Sequence, residues 1–308
     1  MRTVGRIALQ LAVFFVAAVG LQLPLRPLLL LPLLGLSSSE AYEALKAAGG
    51  VPGWVFALAE LWQNGAVLAA ALLSVWLVAR LVDRRPLADL GLRPDATWPR
   101  ELLVGLAVGG LVPTTAFVLG LAAGWVTVTG ALSSADLGWP FLLALLPYAL
   151  AVGLGALGQV VAFVAYPAIR LAEGLPRAVW AAPLCCGVLF GLVHGANPGA
   201  PALSGLVMFV AGVLLSAAYL ATRRAALPLG VLIALNLVEG YVFGFPVSGG
   251  TTAHQPSLLT TATGGPELLT GGGYGPEGGL ITLLALSLGG LLLLAWSRRS
   301  GTARVAAA

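Results

Sequence analysis

The chain has 308 residues, of which 59% are hydrophobic and 9% are charged, with 12 acidic and 16 basic side chains. Soluble globular domains carry about 25% charged residues, so this composition excludes an ordinary soluble domain. It also excludes a disordered chain, because disorder requires a low content of apolar residues. The mean hydropathy of +0.97 is typical of an integral membrane protein. We therefore expect the lipid bilayer to surround the chain as a partner.

Apolar runs long enough to cross a membrane recur along the whole chain. A helix needs about 20 mostly apolar residues to cross the hydrocarbon core. Eight segments meet this condition, so the sequence predicts an all-α fold, a polytopic membrane helix bundle of about eight transmembrane helices. The predicted spans are 7–25, 53–79, 102–129, 138–168, 178–196, 203–222, 226–245 and 279–296.

The basic residues predict the orientation of this bundle, because cytoplasmic loops of membrane proteins collect Lys and Arg. With a cytoplasmic N-terminus, only Arg26 and Lys46 of the 16 basic residues fall outside the cytoplasmic segments. We therefore expect both termini in the cytoplasm. The cytoplasmic residues are Arg2, Arg6, Arg80, Arg84, Arg85, Arg93, Arg100, Arg170, Arg177, Arg223, Arg224, Arg298, Arg299 and Arg304.

The first apolar run has a second interpretation. Arg2 and Arg6 followed by an apolar stretch also fit a cleaved signal peptide, which would leave seven spans. We favour a retained span, because the apolar run continues through the prolines to Leu36. The excess of Arg over Lys is typical of a GC-rich bacterial genome, so we expect the bacterial inner membrane as the location.

Two further patterns in the sequence concern binding partners and helix packing. Basic residues occur singly or in pairs and form no patch, so we expect no nucleic acid partner. Glycines at helical spacing predict close contacts between spans, as small residues allow backbones to approach. These glycines are Gly105 and Gly109, Gly120 and Gly124, and Gly187, Gly191 and Gly195.

Several polar residues lie within the predicted spans. An ionisable residue at the bilayer centre costs about 2.5 to 3.5 kcal/mol, so each one requires a structural or functional reason. The residues are Glu60, Gln63 and Asn64, then Gln159, His194, Asn236 and Glu239. For each, interhelical hydrogen bonding and a functional role are both open, and His194 with Glu239 is a reasonable hydrogen-bonded pair.

One stretch of the fifth predicted span resembles a known protease motif. Residues 189–198, Leu-Phe-Gly-Leu-Val-His-Gly-Ala-Asn-Pro, are similar to the FxxxH motif of the CAAX protease and bacteriocin-processing (CPBP) intramembrane proteases. Residues 229–249, ending in Val-Phe-Gly-Phe-Pro-Val-Ser-Gly, resemble that family's third motif and the segment that follows it. The glycine-rich run 265–278 is also similar to one subgroup, so the resemblance covers roughly residues 140–295.

The resemblance implies an intramembrane endopeptidase, but it also shows a degenerate site. In the family, a glutamate of an EExxxR motif is the general base, and this motif falls on residues 158–163 with Gln159 in place of a glutamate. The first residue of the family's HxxxN motif is Leu232, whereas Asn236, Phe190 and His194 are retained. By resemblance, His194 and Asn236 are candidate catalytic residues. Glu239 is a third candidate, because it lies one turn beyond Asn236 on the same helix face. Gln159, Phe190, Leu232 and Glu60 are expected to line the cavity.

The resemblance also bears on cofactors and on domain organisation. Family members have been described as zinc enzymes, but His194 and Asn236 fall short of the three protein ligands that a catalytic zinc uses. We therefore predict no cofactor, with zinc suggested by the resemblance alone. The expected organisation is an N-terminal transmembrane region (1–137), a CPBP-like core (138–296) and a short basic tail (297–308).

Three functions are consistent with these residues. The first is a catalytically impaired pseudoprotease that binds membrane-embedded or prenylated peptides. The second is an active protease in which Glu239 or Glu60 replaces the missing base. The third is a small transporter or membrane scaffold, in which Glu60, Glu239 and His194 relay protons or shape a polar path.

Overall fold

Helices dominate the part of the chain that the computed structural model describes, which is residues 3–23, 29–47, 51–92, 94–134, 138–175, 180–250 and 255–299. The predicted all-α class is thereby confirmed. The helices are α1 (Thr3–Gln22), α2 (Leu31–Leu33), α3 (Ser39–Ala47), α4 (Gly53–Val78), α5 (Trp98–Ala122), α6 (Phe141–Gln159), α7 (Tyr166–Gly174), α8 (Ala181–Gly195), α9 (Ala202–Thr222), α10 (Ala226–Asn236), α11 (Glu267–Thr270) and α12 (Leu280–Arg299).

Three of these helices continue into π-helical turns, in which the backbone widens by one residue. The turns are Ala79–Asp83 after α4, Val160–Ala165 between α6 and α7, and Leu237–Val242 after α10. Such turns are frequent at functional sites. Short 3₁₀ turns cover Leu87–Leu90, Gly272–Tyr274 and Pro276–Gly278.

Six helices in the described part of the chain are long and apolar enough to cross a membrane. They are Thr3–Gln22, Gly53–Asp83, Trp98–Ala122, Phe141–Gly174, Ala202–Thr222 and Leu280–Arg298. The predicted spans 178–196 and 226–245 correspond to the shorter apolar helices Ala181–Gly195 and Ala226–Val242. The predicted count of about eight spans thus divides into six long helices and two short ones.

The third predicted span is too long. It was expected to reach residue 129, but α5 ends at Ala122 and Gly124 adopts a φ of 72° that breaks the helix. The chain then forms strand β1 (Val126–Ser133), which pairs antiparallel with β2 (Ser257–Thr263). This two-stranded ribbon joins the end of α5 to the segment between α10 and α12. Residues 135–137, between β1 and α6, lie outside the described residues.

Glycines bring pairs of helices into close contact, as predicted. A Cβ added at Gly105 would lie 2.3 Å from the Leu227 carbonyl oxygen, and one at Gly109 would lie 2.1 Å from that of Val231. A Cβ added at Gly191 would lie 2.6 Å from the carbonyl oxygen of Gly205 on α9. The contacts pack α5 on α10 and α8 on α9.

The glycine pattern extends less far than the sequence suggests. A Cβ at Gly195 would meet ordinary van der Waals contact, and one at Gly124 would meet no atom within 4 Å.

Helices of both predicted regions share one apolar core, since α5 of residues 1–137 packs on α10 and α4 packs on α6 of residues 138–296.

Ion pairs of one buried carboxylate, Asp83, link three helical segments. Asp83, whose side chain is 1% exposed, contacts Arg6 at 3.1 Å and Arg170 at 3.0 Å, and it accepts a hydrogen bond from the Tyr166 hydroxyl. These contacts tie α1, α4 and α7 together. Arg2, Arg93, Arg177 and Arg304 lie outside the described residues.

A second group of charges joins the start of α10 to the segment before α5. Arg224 donates to Asp95 at 2.7 Å and to Glu101 at 2.8 Å. Hydrogen bonds from Thr97 and Arg224 lower the pKa of the Asp95 carboxyl to about 2. Asp95 is therefore ionised at neutral pH and can hold Arg224.

Candidate functional site

A cavity of about 920 Å³ lies among the helices and collects six of the seven predicted site residues. We call this cavity the chamber. The predicted residues in its wall are Glu60, Gln159, Phe190, His194, Leu232 and Asn236. They come from α4, α6, α8 and α10, so residues far apart in sequence meet in one place. The seventh residue, Glu239, is not part of the wall.

His194 is held in place by the phenylalanine of the same motif. The rings of Phe190 and His194 stack with centroids 4.2 Å apart, and His194 Nδ1 lies 2.9 Å from the Phe190 carbonyl oxygen. Both residues lie on α8, four positions apart, where side chains share a helix face. A carbonyl oxygen only accepts hydrogen bonds, so Nδ1 carries the proton. In the neutral ring, Nε2 is then a hydrogen-bond acceptor.

Gln159 and Asn236 each occupy the last α-helical position before a π-helical turn. The Gln159 Oε1 atom is buried and receives no hydrogen bond from the described residues, while other atoms of Gln159 line the chamber. The Asn236 amide group donates to the Leu232 carbonyl oxygen at 2.8 Å. Both carboxamide side chains therefore belong to the chamber wall.

Glu60 lies on α4, in another part of the chamber wall. Its carboxyl group accepts a hydrogen bond from Asn64 at 3.2 Å, and Asn64 also donates to the Glu60 carbonyl oxygen. Tyr148 and Tyr241, with ring centroids 5.6 Å apart, line the chamber as well. This part of the wall combines an acidic group with aromatic surface.

Glu239 is buried behind the chamber wall and does not pair with His194. Its side chain is 1% exposed, and its carboxyl group accepts a hydrogen bond from the backbone N–H of Glu277. The described residues contain no ion pair between His194 and Glu239. The expected pair is therefore replaced by contact between Glu239 and the segment that carries Glu277.

Glu277 is the acidic residue of this region that lines the chamber, and the sequence analysis did not single it out. It is 3% exposed and accepts hydrogen bonds from the hydroxyl and the backbone N–H of Ser248. Burial raises the pKa of the Glu277 carboxyl, and the Ser248 bonds oppose this rise. The signal available in the sequence was an acidic residue inside a glycine-rich run.

The backbone around Glu277 is shaped for this contact. Ser248 adopts a left-handed conformation with a φ of 49°, which is uncommon for a residue other than glycine and marks strain near functional sites. Gly275 has a φ of 102°, and a Cβ there would lie 2.0 Å from the Pro246 carbonyl oxygen. The glycine thus lets the 271–279 segment fold against the chain at Pro246, which follows the π-helical turn Leu237–Val242.

The residues at the chamber do not fit a zinc ion. No group of three His, Cys, Asp or Glu side chains with metal-binding geometry occurs in the described part of the chain. His194 also commits Nδ1 to the Phe190 carbonyl, and His254 lies outside the described residues. A catalytic zinc requires three protein ligands, so we derive no chemistry through a metal here.

Comparison with known proteins adds no relative to this description: no family model, curated protein or solved structure matches the chain.

Proposed function

We propose that this membrane protein is a degenerate relative of the CPBP intramembrane proteases, which binds a membrane-embedded or lipid-modified peptide in its chamber without cutting it. The observation that carries the proposal is the gathering of Gln159, His194 and Asn236 around one cavity among apolar helices. The chamber offers polar groups for a peptide backbone and apolar surface for its side chains or lipid chain.

The lack of a base at the α6 position supports binding rather than hydrolysis. Gln159 can hydrogen-bond a water molecule but cannot accept its proton, so a water held there stays a weak nucleophile. Between Asp136 and Glu173 the sequence contains no acidic residue that could replace it. Loss of such a base lowers the rate of hydrolysis by orders of magnitude.

A second candidate function is an active peptidase. The position of Glu277 makes it a better candidate for the general base than Glu239. The Glu277 carboxyl lies in the same cavity wall as His194, whereas Glu239 lies behind it. A carboxylate in that position can take the proton of a water molecule as the water attacks a peptide carbonyl. Under this candidate, Glu277→Gln abolishes cleavage.

We also infer the location from the charge pattern. Arg6, Arg170 and Arg224 lie at ends of helices that carry the ion pairs described above. Positively charged ends favour the cytoplasmic face, so we propose the bacterial inner membrane with both termini in the cytoplasm. Labelling of single introduced cysteines in intact cells tests this orientation.

Binding is tested with the purified full chain in nanodiscs and a fluorescent prenylated peptide. Val193 lines the chamber, while its neighbour Leu192 is 68% exposed on the outer surface of α8. We expect Val193→Trp to weaken binding at least about tenfold because it fills the chamber, and Leu192→Trp to leave binding unchanged. Fluorescence anisotropy measures both affinities.

Hydrolysis is measured on the same samples. We expect the wild-type protein to leave the peptide intact at concentrations where binding is saturated. Cleavage by the wild-type protein that disappears in His194→Ala would overturn the pseudoprotease proposal. Loss of the same cleavage in Glu277→Gln would support the second candidate. Equal binding by the Val193→Trp and Leu192→Trp variants would remove the chamber as the binding site.

A further inference from the structure

The chamber wall is exposed on the side formed by α1. Lining residues on α8, α9 and α10 have little accessible surface, since Phe190, Met208 and Leu232 are at most 5% exposed. Two lining residues on α1 differ, because Phe15 is 45% exposed and Val19 is 56% exposed. Facing the chamber does not by itself expose a side chain, as the first three residues show. The exposure of Phe15 and Val19 therefore marks a side on which the chamber opens to the outside of the bundle.

The opening lies between α1 and α8. One flank of α1 packs on α4, and α8 packs on α9, whereas α1 and α8 make little direct contact although both line the chamber. On α1, the lining residues Phe15, Val19 and Gln22 follow one another at helical spacing and form one stripe. On α8, Val193 lines the chamber. We call the opening between this α1 stripe and α8 the portal.

The portal lies at the depth of the hydrocarbon core. Phe15 follows Thr3, the first residue of α1, by 12 positions. At about 1.5 Å per residue this places Phe15 about 18 Å along the helix axis. The hydrocarbon core is about 30 Å thick, so this position lies within it. The portal therefore opens to lipid chains at the level of Phe15.

An aromatic contact closes the chamber next to the first half of α1. Phe14 packs edge to face on Phe163, with ring centroids 5.0 Å apart, and the Phe15 ring lies 6.3 Å from the same partner. Phe163 belongs to the π-helical turn Val160–Ala165. This contact holds α1 against the turn between α6 and α7. The portal thus extends beside the second half of α1, from Phe15 to Gln22.

Both ends of α1 are also fixed to α4 or to the turn that continues it. Near the start of α1, Arg6 contacts Asp83 at 3.1 Å. Near its end, the Trp62 indole N–H donates to the Leu21 carbonyl oxygen at 3.0 Å. These contacts keep α1 on the α4 side of the chamber, so the gap toward α8 is part of the folded structure.

We propose that the portal admits ligands from the bilayer, so that the chamber receives molecules whose hydrocarbon chain is dissolved in the membrane. This inference rests on the proposed binding function and names the route and the class of the ligand. An apolar chain that passes Phe15 and Val19 moves from one hydrocarbon environment to another. A polar peptide arriving from water would instead lose its hydration at this depth, which costs free energy.

The experiment follows the labelling of a cysteine inside the chamber, Met208→Cys, in a chain with Cys185→Ala and Cys186→Ala. The full chain is placed in nanodiscs and treated with a maleimide on a long alkyl chain, which partitions into the bilayer. We expect Val19→Trp to slow this labelling at least about tenfold, because it narrows the portal. Val16→Trp is the matched control, since Val16 is 75% exposed on α1 and is not part of the chamber wall. It should leave the rate unchanged.

A charged, water-soluble maleimide distinguishes the portal from the chamber itself. This reagent does not dissolve in the hydrocarbon core, so Val19→Trp should leave its labelling rate unchanged. Equal rates for the alkyl maleimide in the Val19→Trp and Val16→Trp variants would overturn the proposal. Equal slowing of both reagents by Val19→Trp would also overturn it, because the substitution would then act on the chamber. If Val19→Trp does not fold, Phe15→Trp narrows the same opening. Mass spectrometry of the intact protein measures the labelling.

The labelling uses no peptide, so this inference and the proposed function can fail separately. If the prenylated peptide binds but Val19→Trp does not slow the alkyl maleimide, the inference fails and the proposed function stands. If the portal controls labelling while the peptide does not bind, the route is correct and the proposed peptide ligand is wrong.

Discussion

Replacing Asp83 with alanine is expected to lower the free energy of unfolding by about 1.5 to 3 kcal/mol, because it removes the buried carboxylate that contacts two arginines. Arg170 is 4% exposed and contacts Asp83 at 3.0 Å and the partly exposed Glu173 at 2.8 Å, while Arg6 approaches the Asp83 carboxyl from α1. The hydroxyl of Tyr166 also loses its acceptor. Titration of the solubilised protein with sodium dodecyl sulfate, followed by circular dichroism, measures the change.

Asp89 supplies the control for this variant. It is an exposed acidic residue in the Leu87–Leu90 turn that follows the same π-helical segment. Asp89→Ala is expected to change the free energy of unfolding by less than about 0.5 kcal/mol, as exposed substitutions usually do. Adding Arg170→Met to Asp83→Ala should recover part of the lost stability, because Arg170 is buried and then keeps only the partly exposed Glu173 as a carboxylate partner. Equal losses at Asp83 and Asp89 would contradict the assignment.

The second large effect is expected at the contact between α5 and α10. A Cβ at Gly109 would lie 2.1 Å from the Val231 carbonyl oxygen, so Gly109→Ala forces the two backbones apart. Overpacking of this kind costs about 1 to 3 kcal/mol. Because α10 carries Leu232 and Asn236 into the chamber, the same variant should also weaken peptide binding. Unfolding titrations and fluorescence anisotropy measure the two effects.

Gly153 on α6 is the matched control, since a Cβ there meets no atom within 4 Å. Gly153→Ala should leave stability and binding unchanged. If Gly109→Ala proves as stable as Gly153→Ala, the helices do not pack as closely as described. Stability lost without any change in binding would separate the α5 contact from the shape of the chamber.

The sequence predicts the long helices well because their signal is local. A run of about 20 apolar residues needs no partner to be recognised. Residues 126–129 illustrate where this fails, since Val-Thr-Val-Thr continues the apolar stretch after α5 but alternates as a strand does. Its pairing partner, β2, lies more than a hundred residues away, so the ribbon depends on tertiary structure.

The site was predictable in part for a related reason. Phe190 and His194 share one helix, and Asn236 could be placed by resemblance. Glu277 could not be placed, because its contact with Ser248 forms only when the glycine-rich segment folds back against residues 246–248. The π-helical turns after Gln159 and Asn236 left no pattern in the sequence that we recognised.

The most direct test of the central claim is the mass of a photoreactive prenylated peptide recovered after irradiation with the full chain in nanodiscs. We predict that the peptide is recovered intact and attached to segments that line the chamber, among them those containing Gln159 and Asn236. Attachment confined to lipid-facing positions such as Leu192 would contradict the account. Recovery of peptide fragments that are absent with His194→Ala would contradict it equally.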